Sequence, residues 1–168
     1  LGRTLKVRRW WDPINEHLLL GARPMRGDPQ RLSHLGVTGV INMCEEMPGP
    51  VTEYKQRGID QLWLPTTDFH HPAPRDLQVG ANFIERHRSQ GGKVYVHCKA
   101  GRARSATVVL WWLIRYGELT PQEAQQSILQ ARPHSNPNIY QRPAIQKLYG
   151  PLRDGQTSTV AELDLSDD

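Results

Sequence analysis

The chain has 168 residues, with 21 Lys and Arg, 17 Asp and Glu, and two Cys. This length suits one domain with a core of its own, and two cysteines are too few for a secreted disulfide framework, so a reducing, intracellular compartment is expected. Residues 108–114 form the longest apolar run, far short of the roughly twenty residues a membrane-spanning helix needs, and no secretory signal pattern opens the chain.

Charge is uneven. Residues 1–153 contain every base and only 12 of the acids, a net charge of +9, whereas residues 154–168 hold five acids and no base. Residues 1–9 read as a basic arm, 10–153 as the folded domain, and 154–168 as an acidic, disordered tail. A basic body favours acidic substrates or an anionic membrane surface. It serves equally for solubility around a phosphate pocket, and no specific nucleic-acid partner is expected.

In chain order, residues 17–20 read as a strand. Asp28-Pro29 reads as an N-cap followed by a first-turn proline, opening a short helix that stops at Gly36. Residues 40–43 form a buried strand, 51–57 a short helix ended by Gly58, and 61–64 another strand. Residues 66–74 are a loop with prolines near its ends. Residues 75–89 carry Leu77, Ala81 and Ile84 at helical spacing and stop at Gly91-Gly92. Residues 94–96 are the central strand. Residues 104–116, apolar nearly all round, form a buried helix ended by Gly117. Thr120-Pro121-Gln122-Glu123 is a capping box that opens a helix to about Arg132. A last helix over 138–149 accommodates Pro143 only if that residue begins a turn or kinks it. Strands alternating with helices predict an α/β domain with a central, mostly parallel sheet flanked by helices on both faces.

The stretch His97-Cys98-Lys99-Ala100-Gly101-Arg102-Ala103-Arg104-Ser105 lies between the central strand and the buried helix. A tight strand-to-helix loop of small residues aims several backbone N–H groups at one small volume, and the helix N-terminus adds partial positive charge there. Such a nest binds a tetrahedral oxyanion. The same field lowers the pKa of a cysteine at its base, which makes Cys98 a candidate nucleophile. Arg104 supplies a fork for two phosphate oxygens. Gly101 suits close backbone approach or positive φ. Ser105 can donate to the sulfur and ease its later departure, and His97 can orient the loop through its backbone. The bland alternative is a buried structural cysteine beside an unrelated arginine.

Hydrolysis of a phosphomonoester also needs a proton donor for the leaving oxygen. Asp68, thirty residues before Cys98 in a proline-flanked loop past a strand end, is the candidate; the alternative is a turn residue. Asp76 reads as a first-turn helix acid, and Asp60 precedes its strand at the wrong end. His70 and His71 flank the pocket or stand idle in the loop. No His/Cys/acid group has metal-ligand spacing, and thiolate chemistry requires neither metal nor cofactor.

The run His97–Ser105 resembles the active-site loop of the cysteine-dependent protein tyrosine phosphatases, in the dual-specificity branch. Arg9-Trp10-Trp11-Asp12, residues 18–24, Val40-Ile41-Asn42-Met43 with Glu45-Glu46, and Thr66-Thr67-Asp68 are similar to the mitochondrial phosphatidylglycerophosphate phosphatase family and its bacterial relatives. In that family an aromatic and another acid follow the paired glutamates; here Met47-Pro48-Gly49 follows. The resemblance implies that residues 10–153 are a monomeric phosphatase domain working through a phosphocysteine, with Cys98, Arg104, Asp68 and Ser105 catalytic. It implies that Lys99, Ala100, Gly101, Arg102, Ala103 and Arg104 bind the phosphate, and that His97 and Asn138 support the loop. Helix capping explains Asn138 equally well. It further implies that Trp10 and Trp11 pack on the body, where a membrane interface is the other reading. Cytoplasm is expected for a bacterial source and mitochondrion for a eukaryotic one.

Lys99 and Arg102 add charge that an acidic phospholipid or inositol headgroup would use, and this substrate is favoured over a phosphoprotein. An RNA 5′-phosphatase, a sulfur transferase and an inactive phosphate-binding module fit less of the pattern. Finally, Asn42-Met43-Cys44 is similar to a 3-phosphoinositide phosphatase in which the matching cysteine pairs reversibly with the nucleophile. That resemblance makes Cys44 a redox partner for Cys98, beside its reading as a core cysteine.

Overall fold

Strand sequences such as Leu18-Leu19-Leu20 and Val94-Tyr95-Val96 are apolar on both faces, which a strand tolerates only when both sides of its sheet are covered. The computed structural model, which describes residues 9–155, shows that cover. Five strands run in the order β1-β2-β5-β3-β4: β1 (Trp11–Asn15), β2 (Leu18–Gly21), β3 (Val37–Cys44), β4 (Asp60–Thr66) and β5 (Lys93–His97). Strands β2, β5, β3 and β4 are mutually parallel, and β1 pairs antiparallel with β2 at one edge. This is the expected α/β architecture.

Alternation along the strands separates two cores. Leu18, Leu20, Ile41, Met43, Val94 and Val96 face α3 (Pro74–Ser89), α4 (Arg104–Arg115), α5 (Pro121–Ala131) and α6 (Pro143–Arg153). Leu19, Val40 and Tyr95 face Leu32 of α1 (Asp28–His34) and Tyr54 of α2 (Val51–Gln56). Helix α4 is buried over most of its length because it lies under the sheet's centre with α3 on one side and α5 on the other.

Several boundaries differ from the sequence reading. β1 carries Asp12 and Pro13 and shows no apolar alternation; it exists because an edge strand pairs on one side only and tolerates proline. Trp11 packs edge-on against Tyr95, and half-exposed Trp10 donates its indole N–H to the Arg23 carbonyl. The N-cap of α1 is Gly27 at φ 88, and Asp28 stands inside the helix, accepting from the Met25 N–H at 2.7 Å. The expected 138–149 helix divides into a 3-10 turn, Ile139–Gln141, and α6, which Pro143 opens. The outer parts of the expected arm and tail, residues 1–8 and 156–168, lie outside the described residues. Among the described residues, no helix is long and apolar enough to cross a membrane.

Helices α3 and α4 meet through Gly80, where an added Cβ would lie 2.7 Å from Val108 Cγ1. Gly80→Ala is therefore expected to destabilise the domain by about 1–3 kcal/mol through overpacking, read as a lower urea midpoint at unchanged slope.

Candidate active site

Strands β2, β3, β4 and β5 end on one edge of the sheet, where α/β proteins bind ligands. β5 ends at His97, residues 98–103 turn, and α4 begins at Arg104. Gly101 takes φ 65, and its α-carbon faces the backbone of Gly21 at the end of β2, so a side chain there would collide with main chain.

The loop carbonyls are all taken up outside the turn. Cys98 O accepts from His97 Nδ1 (3.3 Å), and Lys99 O from the Arg23 N–H (3.3 Å). Ala100 O and Gly101 O accept from Arg132, Arg102 O from the Asn136 N–H, and Ala103 O from the Thr107 N–H and hydroxyl. The N–H groups are thereby left facing inward. Burial pushes the Cys98 thiol pKa up, but hydrogen bonds from the Ser105 hydroxyl and from the N–H groups of Ser105, Gly101 and Arg102 outweigh it, and the net direction is downward. Ser105 Oγ lies 3.1 Å from the sulfur. His97 is fully buried, its pKa lowered to about 4 mainly by desolvation. The imidazole is thus neutral at physiological pH, with its proton on Nδ1 toward the Cys98 carbonyl.

Arg104 is buried, and its guanidinium is held in place by Glu46: Nη1 and Nη2 donate to the two carboxylate oxygens at 2.9 and 2.8 Å, and Nη1 also donates to Thr66 O at 2.8 Å. This pairing draws the Glu46 pKa down to about 2 and raises that of Arg104. The loop bearing Glu46 is shaped by Asn42, whose amide donates to Met47 O and accepts from the Cys44 N–H. Asp68 Oδ1 lies 3.2 Å from Arg104 Nη2 and accepts from the Phe69 N–H. Phe69 itself stands at φ 64, and Thr67 ties the same loop to Glu45.

The structure therefore brings together Cys98, Ser105, His97, Arg104 and Asp68. Within the turn, Lys99 is exposed, and Arg102 donates outward to His134 O at 2.9 Å. The Asn138 N–H donates to the Asn136 side chain. Asn138 is exposed and its side chain caps nothing, while the N–H of Asn136, two residues earlier, donates to Arg102 O. Cys44 is a buried free thiol at the end of β3, pushed up to about 12 first by burial and then by Glu46, within the electrostatic reach of Cys98. His70 and His71 are exposed; burial and the nearby Arg142 lower the His71 pKa. Among the described residues no group of three His, Cys, Asp or Glu is placed to hold a metal ion. Glu46 and Arg132 are the site residues the sequence reading missed. The position of Glu46, just past a strand ending at the sheet's carboxyl edge, was the available signal.

Residues 18–148 match the dual specificity phosphatase catalytic domain. The chain belongs to the dual-specificity phosphatase family. It is 40% identical over 150 residues to phosphatidylglycerophosphate phosphatase PTPMT2 of Arabidopsis thaliana, covering 86% of this chain and 66% of that protein. It is 41% identical over 128 residues to PTPMT1 of the same plant, covering 74% of this chain and 38% of that protein. With phosphatidylglycerophosphatase and protein-tyrosine phosphatase 1 of Rattus norvegicus it shares 40% identity over 134 residues, 76% of this chain and 69% of that one. The crystal structure of PTPMT1 in complex with PI(5)P superposes with a TM-score of 0.80 at 32% identity, covering 88% of this chain and 99% of that one.

Replacing Glu46 by Gln keeps the shape and removes the charge that orients Arg104. Glu46→Gln is expected to lower kcat/KM for a phosphomonoester roughly ten- to a hundredfold. Because the Glu46 pKa falls from 4.5 to about 2 on folding, its stabilising contribution is complete above about pH 4.5 and disappears as pH drops toward 2. The difference in urea stability between wild type and Glu46→Gln should be flat at neutral pH and close across that acid window.

Proposed function

We propose that this chain hydrolyses phosphomonoesters through a phosphocysteine intermediate, with an acidic phospholipid headgroup, such as phosphatidylglycerophosphate or a phosphoinositide, as substrate. The observation that carries the chemistry is the sulfur of Cys98 held under inward N–H groups, its pKa lowered in spite of burial. In this reading the thiolate attacks phosphorus while the nest and the Arg104 fork hold the equatorial oxygens, where charge is shared in the transition state. Asp68 delivers a proton to the leaving alkoxide. Water then attacks the thiophosphate with Asp68 as base, phosphate departs, and the Ser105 hydroxyl stabilises the sulfur as it leaves. Every group invoked belongs to one chain, so a monomer suffices, and the thiolate requires a reducing compartment.

Lipid is favoured by two observations. Relatives that share about 40% identity are named as phosphatidylglycerophosphate phosphatases, and a similar structure is described with PI(5)P bound. Trp10, Met25 and Phe69, respectively 46%, 52% and 95% exposed, adjoin the ends of β1, β2 and β4 at the edge that carries Cys98, alongside exposed Arg23, Arg26 and Lys99. Apolar side chains among bases suit contact with an anionic membrane. The rat relative's name also includes protein-tyrosine phosphatase, which keeps a phosphoprotein as the second reading.

Cys98→Ser should abolish turnover, by roughly a thousandfold or more, while vanadate binding persists; near-normal activity would end the nucleophile assignment. Asp68→Ala should slow an alkyl phosphate by about 10²–10⁴-fold and a nitrophenyl phosphate far less, since the latter leaves without a proton. Comparing kcat/KM for phosphatidylglycerophosphate, phosphoinositides, phosphopeptides and RNA 5′-triphosphate decides the substrate; preference for a phosphopeptide would replace the lipid reading.

A further inference from the structure

Arg132, at the C-cap of α5, is one of the largest fully buried side chains, 1% exposed, and lies on the far side of the catalytic loop from the sulfur. Its Nε donates to Gly101 O at 2.8 Å and its Nη2 to Ala100 O at 3.1 Å. Its Nη1 donates to Asp12 Oδ2 at 2.7 Å and to Arg9 O at 3.0 Å. Asp12 is itself 4% exposed, so the buried guanidinium is paired rather than bare.

A trans peptide unit is planar, and its C=O and N–H point in opposite directions. The carbonyl of Ala100 shares its plane with the N–H of Gly101, and the carbonyl of Gly101 with the N–H of Arg102. Those two N–H groups, with that of Ser105, donate to Cys98. Arg132 thus grips, by their oxygen ends, the same two peptide units whose hydrogen ends face the sulfur.

We propose that Arg132, anchored by Asp12, is a positioning residue for catalysis: it locks the 100–101 and 101–102 peptides with their N–H groups toward the thiolate and the phosphate that replaces it. A charged donor on each carbonyl also polarises the peptide and strengthens its N–H. A neutral donor reaching one carbonyl would leave the other peptide free to rotate. Gly101, at φ 65 between the two units, offers little resistance to such a rotation. Asp12 sits on edge strand β1, 120 residues from Arg132, so the N-terminal hairpin becomes part of the apparatus that sets the nucleophile.

This inference rests on the reading of Cys98 as the nucleophile. The test measures, for the full chain, the pH dependence of Cys98 alkylation by iodoacetamide, the vanadate affinity and the urea midpoint. It compares wild type with Arg132→Gln, Arg132→Lys and Asp12→Asn, with Cys44→Ser in every background so that one thiol is read. For Arg132→Gln the alkylation midpoint should rise by about one pH unit and the vanadate Kd by roughly tenfold. Arg132→Lys, which keeps the charge but not the fork, should fall between Gln and wild type. Asp12→Asn should move both quantities in the same direction by less. A merely structural staple between α5 and β1 would lower the urea midpoint and leave the thiol profile and vanadate affinity of the folded protein unchanged, and that result overturns the proposal. If Arg132→Gln fails to fold, the Lys and Asn variants decide by the same two readouts. An ordinary thiol midpoint already in the wild type would instead bring down the nucleophile reading, and this inference with it.

Discussion

A peptide group cannot turn its N–H toward an anion without turning its carbonyl away, and a buried carbonyl without a donor costs about 1–3 kcal/mol. The catalytic loop meets this constraint by giving each carbonyl from Cys98 to Ala103 a partner outside the turn. The partners come from every quarter of the fold: the ring of His97 on β5, the backbone after β2, the C-cap of α5, the loop behind it, and the first turn of α4. Inward N–H groups are the consequence, and together with the Ser105 hydroxyl they lower the thiol pKa in spite of burial. Much of the tertiary structure around the sheet's carboxyl edge can be read as support for six peptide orientations.

The same edge holds a second, independent device. The Arg104 side chain would be mobile without a partner. Glu46 and Thr66 O occupy its Nη1 and Nη2, and Asp68 approaches from the β4 side. In the proposed mechanism the fork is thus preorganised before any phosphate arrives, which is where electrostatic catalysis gains most over water. The two arginines illustrate one principle at different depths. Arg104 is paired to a half-exposed carboxylate, whereas Arg132 is paired to a buried carboxylate and also donates to the loop backbone.

The parallel sheet and the helices on both faces were legible because the strands are apolar runs bounded by glycine and the helices carry clean periodicity or capping signals. The Thr120–Glu123 capping box appears with both reciprocal hydrogen bonds. The hairpin strand β1 was not legible, since an edge strand needs no alternation. The cap of α1 was misplaced by one residue: left-handed Gly27 precedes the first turn, and the Asp28 side chain accepts from the Met25 N–H rather than from the helix. At the site, proximity in sequence carried Cys98, Ser105 and His97. Asp68 was reached from its place beyond a strand end. Asn138 was reached by resemblance alone, and the loop contact that the fold shows nearby is the Asn136 N–H on Arg102 O.

From the order of residues alone came the proposed chemistry: a cysteine, an arginine and a serine on one strand–loop–helix turn, and a carboxylate thirty positions upstream, because these depend on local geometry and on one simple topological rule. What only the folded chain decided is which charges neutralise which. Glu46 lies 58 residues from Arg104, and Asp12 lies 120 from Arg132. Ion pairs between residues so far apart in the chain leave no periodicity or spacing in a sequence; they follow from how strands are ordered in the sheet and where a helix ends against it.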